Sequence, residues 1–173
     1  MESAIQTNKI YYTYDQIHNI VAKMIPAIRD FEPDVILAIG GGGFIPARMI
    51  RSYFSNLPIL AISMEAYNNN NNKVNKEAII HQWFDEKTTY GALVRNGRIL
   101  IVDEIDDTRL TLSKCIAELN KHQPSTIGVA VIHNKNKKKC YTIPNNITYI
   151  AGEIVNDNWI HYPWETTCEV NEI

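Results

Sequence analysis

ILIVDEIDDTRLTL, residues 99–112, sets four apolar residues directly before four carboxylates in five positions, followed by Thr108, Arg109, Leu110 and Thr111. A short, unbroken apolar run marks a strand buried on both faces. The run Arg98–Val102 is therefore predicted to be such a strand, ending in dense negative charge. Immediately after it, "TLSKCIAELNKH" (Thr111–His122) carries apolar residues at helical spacing.

The same alternation extends outward. Toward the N-terminus, "DVILAI" (Asp34–Ile39), bounded by Pro33 and four glycines, and "PILAIS" (Pro58–Ser63) read as buried strands, and "TIGVAVIH" (Thr126–His133) reads as another toward the C-terminus. Thr13 followed by Gln16 forms a capping box opening a helix from about Tyr14 to Phe31, which Pro26 is expected to kink or shorten. "FIPARMIRSYF" reads as a further helix. Strands alternating with helices predict an α/β fold, a mostly parallel twisted sheet flanked by helices. Ligands of such sheets bind beyond the carboxyl ends of the strands, where both unusual stretches lie, the four glycines Gly40–Gly43 and the acids from Asp103 on.

Composition agrees with one domain over 1–173: 45% of the 173 residues are hydrophobic and 21% charged. A net charge of −2 gives no electrostatic footprint for nucleic acid or an anionic membrane. Cys115, Cys140 and Cys168 are too scattered for a disulfide framework or a zinc site, and the N-terminus lacks a signal peptide's basic and apolar regions, so a cytoplasmic protein is expected. The run Asn68–Asn72 has neither apolar payload nor helix propensity and reads as a flexible loop spanning about 67–76, whose truncation should change stability by less than about 1 kcal/mol.

One Asp or Thr would suffice to cap a helix, and four crowded acids repel. They imply a cation, a polyol whose hydroxyls they accept, or a proton to transfer. "LIVDE" fits a Walker B strand, but no G-x-x-x-x-G-K-[ST] accompanies it, and "GGGGFIPAR" fails as G-x-G-x-x-G because Pro46 stands where the last glycine belongs. The glycines form either a tight strand-to-helix turn or a ligand cradle. The stretch Asp107–Thr111 opens onto a helix, so free amides and two hydroxyls face a positive dipole end, a cradle for one phosphate monoester. A ribose 5-phosphate satisfies both halves, with its ester on the helix start and its hydroxyls on Asp103 and Glu104.

This fourteen-residue stretch resembles the phosphoribosyl pyrophosphate (PRPP) signature of the type I phosphoribosyltransferases. Together with "PDVILAIGGGGFIPARMI" and the closing "NDNWIHYPWE", it resembles their fungal-type hypoxanthine-guanine branch from about Tyr12 to Glu165. The resemblance implies the type I fold with a small hood formed by terminal segments. It also implies displacement of pyrophosphate from ribose C1 by a 6-oxopurine, with Mg2+ as cofactor and a homodimer as the assembly. Roles carry over residue by residue. Asp103, Glu104, Asp106, Asp107, Thr108, Arg109, Leu110 and Thr111 bind PRPP, with Asp107 as general acid/base at purine N7. Gly40, Gly41 and Gly42 form the pyrophosphate loop, with a cis peptide at Gly40–Gly41 and help from Arg48 or Arg51. Trp159 stacks on the base, the Ile160 carbonyl reads its edge, and Lys135, with Asn134 as rival, donates to the 6-oxo group. Glu165 contacts the metal, while Asp103 and Glu104 reach it through ribose or water. Arg109 stands where a glycine is usual, and its backbone is strained if φ is positive. Two other functions fit the same residues, a transferase for another base or for xanthine as well, and a non-catalytic PRPP sensor.

Overall fold

The computed structural model describes residues 9–67 and 77–167, so the asparagine run and Cys168 lie outside the described residues. In chain order the elements are β1 (Lys9–Tyr11), α1 (Tyr14–Phe31), β2 (Val35–Gly40), α2 (Phe44–Arg51), β3 (Ile59–Tyr67), β4 (Glu77–Gln82), β5 (Arg98–Asp106), α3 (Leu110–Asn120), β6 (Thr126–Lys135), β7 (Thr148–Val155) and β8 (Trp159–His161). Short 3-10 turns lie at Gly91–Leu93 and Pro163–Glu165.

Six strands form one sheet in the order β4-β3-β2-β5-β6-β7, parallel except for the β3–β4 pair. Its apolar strands are buried on both faces with a period of two. Ile36, Ala38, Leu100, Val102, Ala130 and Ile132 pack with residues of α1 and α2. Val35, Leu37, Ile39, Ile99, Ile101, Val129 and Val131 pack with Leu112, Cys115, Ile116 and Leu119 of α3. That alternation is what an unbroken apolar run yields when a pleated strand is covered twice.

The capping box at Thr13 is present, with the Thr13 hydroxyl accepting from Gln16 N and the Gln16 side chain accepting from Thr13 N. Pro26, however, neither ends nor shortens α1, which runs unbroken through it. The reason is position: Pro26 and Ala22, whose carbonyl loses its donor, both lie on the exposed face, where water can serve that carbonyl.

A second, two-stranded parallel sheet joins β1 to β8, so segments from the two ends of the chain meet as a small hood. Its Ile160 and the following Tyr162 are buried against the α1/α2 face of the main core. The sequence reading left β1, β4, β7 and β8 unassigned. Two are only three residues long, and β7 is mostly half-buried, with only Ile150 in the core and Gly152 and Glu153 interrupting any apolar run. It also stopped the strand Arg98–Val102 too early: β5 continues to Asp106, so Asp103, Glu104 and Asp106 are strand residues and not turn residues. Pairing explains this, because Asp103, Ile105 and Asp106 lie in register with Val131, His133 and Asn134 of the equally extended β6.

Candidate active site

One cleft at the carboxyl ends of the parallel strands is lined by Gly40–Gly42, Met64 of β3 and the whole stretch Asp103–Leu112. The topology brings these together, since β2 and β5 are parallel neighbours and both loops leave the same sheet edge.

On the β2 side, the Gly40–Gly41 peptide is cis, as the resemblance implied. Gly43 N donates to the Ile39 carbonyl at 2.9 Å, and no side chain caps α2. A Cβ on Gly42 would fall on the Glu104 carboxylate, whereas a Cβ on Gly41 would meet nothing. Glycine at 42 is thus a condition for seating Glu104. Arg48 bonds the Ser52 hydroxyl at 2.7 Å and Arg51 bonds the Leu57 carbonyl at 2.9 Å; neither lines the cleft.

On the β5 side the acids divide into distinct environments. Asp103 is buried, and its Oδ1 accepts from Glu104 N at 2.9 Å. Burial and then the negative charge of Glu104 push its carboxyl well above the ordinary range. Glu104 Oε2 is buried without a hydrogen-bond partner among the described residues. Asp106, only 1% exposed, turns away from solvent and receives the Arg109 guanidinium at 2.8 Å. Asp107 faces two ammonium groups, Lys137 Nζ at 2.9 Å and Lys135 Nζ at 3.4 Å. Burial pushes its carboxyl up, but the Lys137 hydrogen bond and the charges of both lysines outweigh this and hold it below the usual range.

Arg109 does adopt the left-handed conformation, φ 70° and ψ 9°. It is the N-cap of α3 and makes no side-chain cap bond; the Thr108 hydroxyl accepts weakly from Leu110 N at 3.4 Å, and the other first-turn amides carry no side-chain cap at the edge of the cleft. Thr108 and Thr111 line the same space.

The expected base-binding residues Lys135, Trp159 and Ile160 do not line this cleft. Lys135 is 9% exposed and also stands 3.4 Å from Asp157 Oδ1, while Lys137 bonds the same oxygen at 2.9 Å. Asp157 lies two residues before Trp159, so the two lysines tie the acid at the end of β5 to the start of the hood. Trp159 is 61% exposed, so its ring lies outside the core. Ile160 is buried. Glu165 Oε2 accepts from Tyr162 N at 3.0 Å and stands 3.6 Å from His161 Nδ1; it does not line the cleft. The hydroxyl of Tyr162 donates to the Glu104 carbonyl at 3.0 Å, and His133 Nδ1 lies 2.8 Å from it.

Sequence reasoning missed Lys137, Lys139, Tyr149, Asp157 and Tyr162. A signal existed for the lysines: Lys135, Lys137 and Lys139 turn inward while Asn136, Lys138 and Cys140 are exposed, the period of an extended chain. The run "NKNKKK" is not a uniformly solvated loop.

Comparisons with known proteins converge. The family described as phosphoribosyl transferase domain matches residues 12–170. Xanthine phosphoribosyltransferase 1 of Saccharomyces cerevisiae is 37% identical, covering 92% of this chain and 91% of its own. A hypoxanthine-guanine phosphoribosyltransferase of Schizosaccharomyces pombe is also 37% identical, covering 91% and 89% respectively. Among solved structures, a hypothetical protein from Neisseria gonorrhoeae with bound ppGpp superposes with a TM-score of 0.83 at 41% identity, covering 94% of this chain and 92% of that one.

Proposed function

The chain belongs to the phosphoribosyl transferase domain family, and from that premise we propose that it is a purine salvage enzyme transferring 5-phosphoribosyl from PRPP to a 6-oxopurine, hypoxanthine or guanine. The products are the nucleoside monophosphate and pyrophosphate. The observation that carries the reading is the single cleft in which a cation-free glycine loop, an uncapped helix start and an ionised Asp107 beside Lys135 converge.

Each end of the ligand meets its own chemistry. The 5-phosphate sits on the amides of Thr108–Thr111 and the positive end of α3. The ribose hydroxyls bond to Asp103 and Glu104, and the Glu104 carboxylate favours the cationic sugar of an oxocarbenium-like transition state. The pyrophosphate lies on the amides of Gly40–Gly42. Purine N9 attacks C1 as the C1–O bond to pyrophosphate breaks, and Asp107 takes the proton from N7. Lys135 donates to the 6-oxo group, Trp159 stacks on the ring, and the Ile160 carbonyl accepts from its edge.

Mg2+ fits this acid set: Glu104 Oε2 is a buried oxygen lacking a partner. No group of three His, Cys, Asp or Glu side chains suited to a metal occurs among the described residues, which suits an ion that takes most of its ligands from phosphate, ribose and water. Bound beside Asp103 and Glu104, it would neutralise the leaving pyrophosphate, and Glu165, held by Tyr162 N outside the cleft, would have to swing in to contact it.

Pyrophosphate release with PRPP, Mg2+ and each of hypoxanthine, guanine, xanthine, adenine, uracil and orotate tests the proposal. Turnover is expected with hypoxanthine and guanine; turnover with adenine, uracil or orotate alone, or with no base, overturns it. Xanthine is a second acceptor to test, on the strength of the yeast xanthine relative. The Neisseria structure motivates a competition assay in which ppGpp raises the KM for PRPP. A single domain over 1–173 rests on length and composition, a cytoplasmic location on the scattered cysteines and the N-terminal composition, and a homodimer on the family resemblance; light scattering of the purified chain checks the dimer.

A further inference from the structure

The buried carboxylate of Asp106 plays no part in the transfer described so far, yet three side chains converge on it, those of Arg109, Tyr149 and Lys139. Asp106 Oδ2 accepts from Arg109 Nε at 2.9 Å, Arg109 Nη2 at 2.8 Å and the Tyr149 hydroxyl at 2.7 Å. Lys139 Nζ stands 3.5 Å from Oδ1 while donating to the Asp106 and Asp107 carbonyls at 2.6 and 2.9 Å. The Arg109 guanidinium also lies 5.2 Å over the Tyr149 ring, and Cys140 N donates to the Thr108 carbonyl at 2.9 Å. The cluster therefore braces the loop Asp107–Thr111 from β7 and from the segment after β6.

Arg109 occupies a left-handed conformation that glycine takes freely and an arginine does not. Its guanidinium is committed through both Nε and Nη2 to the single oxygen Asp106 Oδ2, two charge-assisted bonds that fix its direction. The side chain is thus occupied away from the phosphate. We propose that Asp106 is a positioning residue for the 5-phosphate: by clamping the Arg109 guanidinium it holds residue 109 left-handed and so aims the first amides of α3 at the ester. Arg109 then serves through its backbone conformation and not as a phosphate-binding cation. The inference rests on the phosphoribosyl reading above, which supplies the ligand.

The test is a double-mutant cycle on the full chain with PRPP, hypoxanthine and Mg2+. Asp106→Asn is expected to raise the KM for PRPP at least tenfold while the KM for hypoxanthine stays within threefold. In an Arg109→Gly background the same substitution should raise the KM for PRPP less than threefold, because glycine needs no clamp. Equal penalties in the two backgrounds overturn the proposal, as does a penalty shared equally by both substrates. Absence of turnover in the unsubstituted chain counts against the proposed function alone. The crystal structure of Asp106→Asn then decides the clamp separately, and residue 109 still left-handed with the α3 amides unmoved overturns it. Should Asp106→Asn not fold, Tyr149→Phe removes one donor and is expected to raise the KM for PRPP about threefold; an unchanged KM overturns the hub.

Discussion

Asp107 is set apart from the other acids of its stretch by its partners. Asp103 is crowded by Glu104 and driven toward protonation, whereas Asp107 answers to Lys135 and Lys137 and stays ionised. An ionised carboxylate can accept the N7 proton, so Asp107→Asn should lower kcat at least about tenfold while binding of the product nucleotide survives. Removing one ammonium weakens the hold on the charged form. In Lys137→Ala the acidic limb of the kcat/KM profile should move to higher pH, and an unmoved limb would show that Lys137 does not tune the base. The glycine loop yields a contrast between neighbours. Gly41→Ala should leave the thermal midpoint nearly unchanged, while Gly42→Ala should displace Glu104, lower that midpoint and raise the KM for PRPP about tenfold or more.

Elements carry the site by overrunning the lengths their apolar runs suggest. β5 and β6 pair through Asp106 and Asn134, so acids and lysines are delivered on a pleated frame whose period of two decides which of them face the cleft. Lys135 belongs to that frame, and Lys137 and Lys139 keep its alternation beyond it. The uncapped start of α3 leaves donors for a ligand that a Ser or Asp cap would have consumed. α1 has the opposite character, being capped and purely structural. Its Pro26 lies on the water-facing side, so Pro26→Ala would restore a backbone bond to Ala22 without touching the core. That variant should be more stable by about 1 to 3 kcal/mol in urea titrations, with kinetics unchanged.

At the scale of the molecule, the hood is tied to the sheet through a buried chain of hydrogen bonds. The Tyr162 hydroxyl must donate to the Glu104 carbonyl, so it accepts from His133, whose proton therefore sits on Nδ1. His133 Nε2 is left buried without a partner, 3.8 Å from Glu153 Oε2. Burial lowers the His133 pKa to about 4. The folded state thus holds His133 neutral where the unfolded chain takes up a proton. The stability from this residue is complete above about pH 6.5 and declines as pH falls toward 4. The loss at the acid end is on the order of 3 kcal/mol. Urea midpoints should fall between pH 7 and pH 4.5, and His133→Asn, which keeps a donor for Tyr162, should flatten that dependence; an equally steep profile would place the acid sensitivity elsewhere.

What the sequence determined by itself is the sheet and the address of the chemistry. Unbroken apolar runs can be satisfied only by burial on both faces, and loops at their carboxyl ends follow from parallel pairing. Local chemistry also marked the Thr108–Thr111 phosphate loop and made the conformation of Arg109 a question. Tertiary structure alone decided which charges answer each other. Asp106 and Asp107 are adjacent in the chain, yet one is sealed under Arg109, Tyr149 and Lys139 while the other opens onto Lys135 and Lys137. Arg109 apart, those partners arrive from positions 28 to 43 residues away, and the environment of a charge is the sum of whatever folding brings within a few ångströms of it.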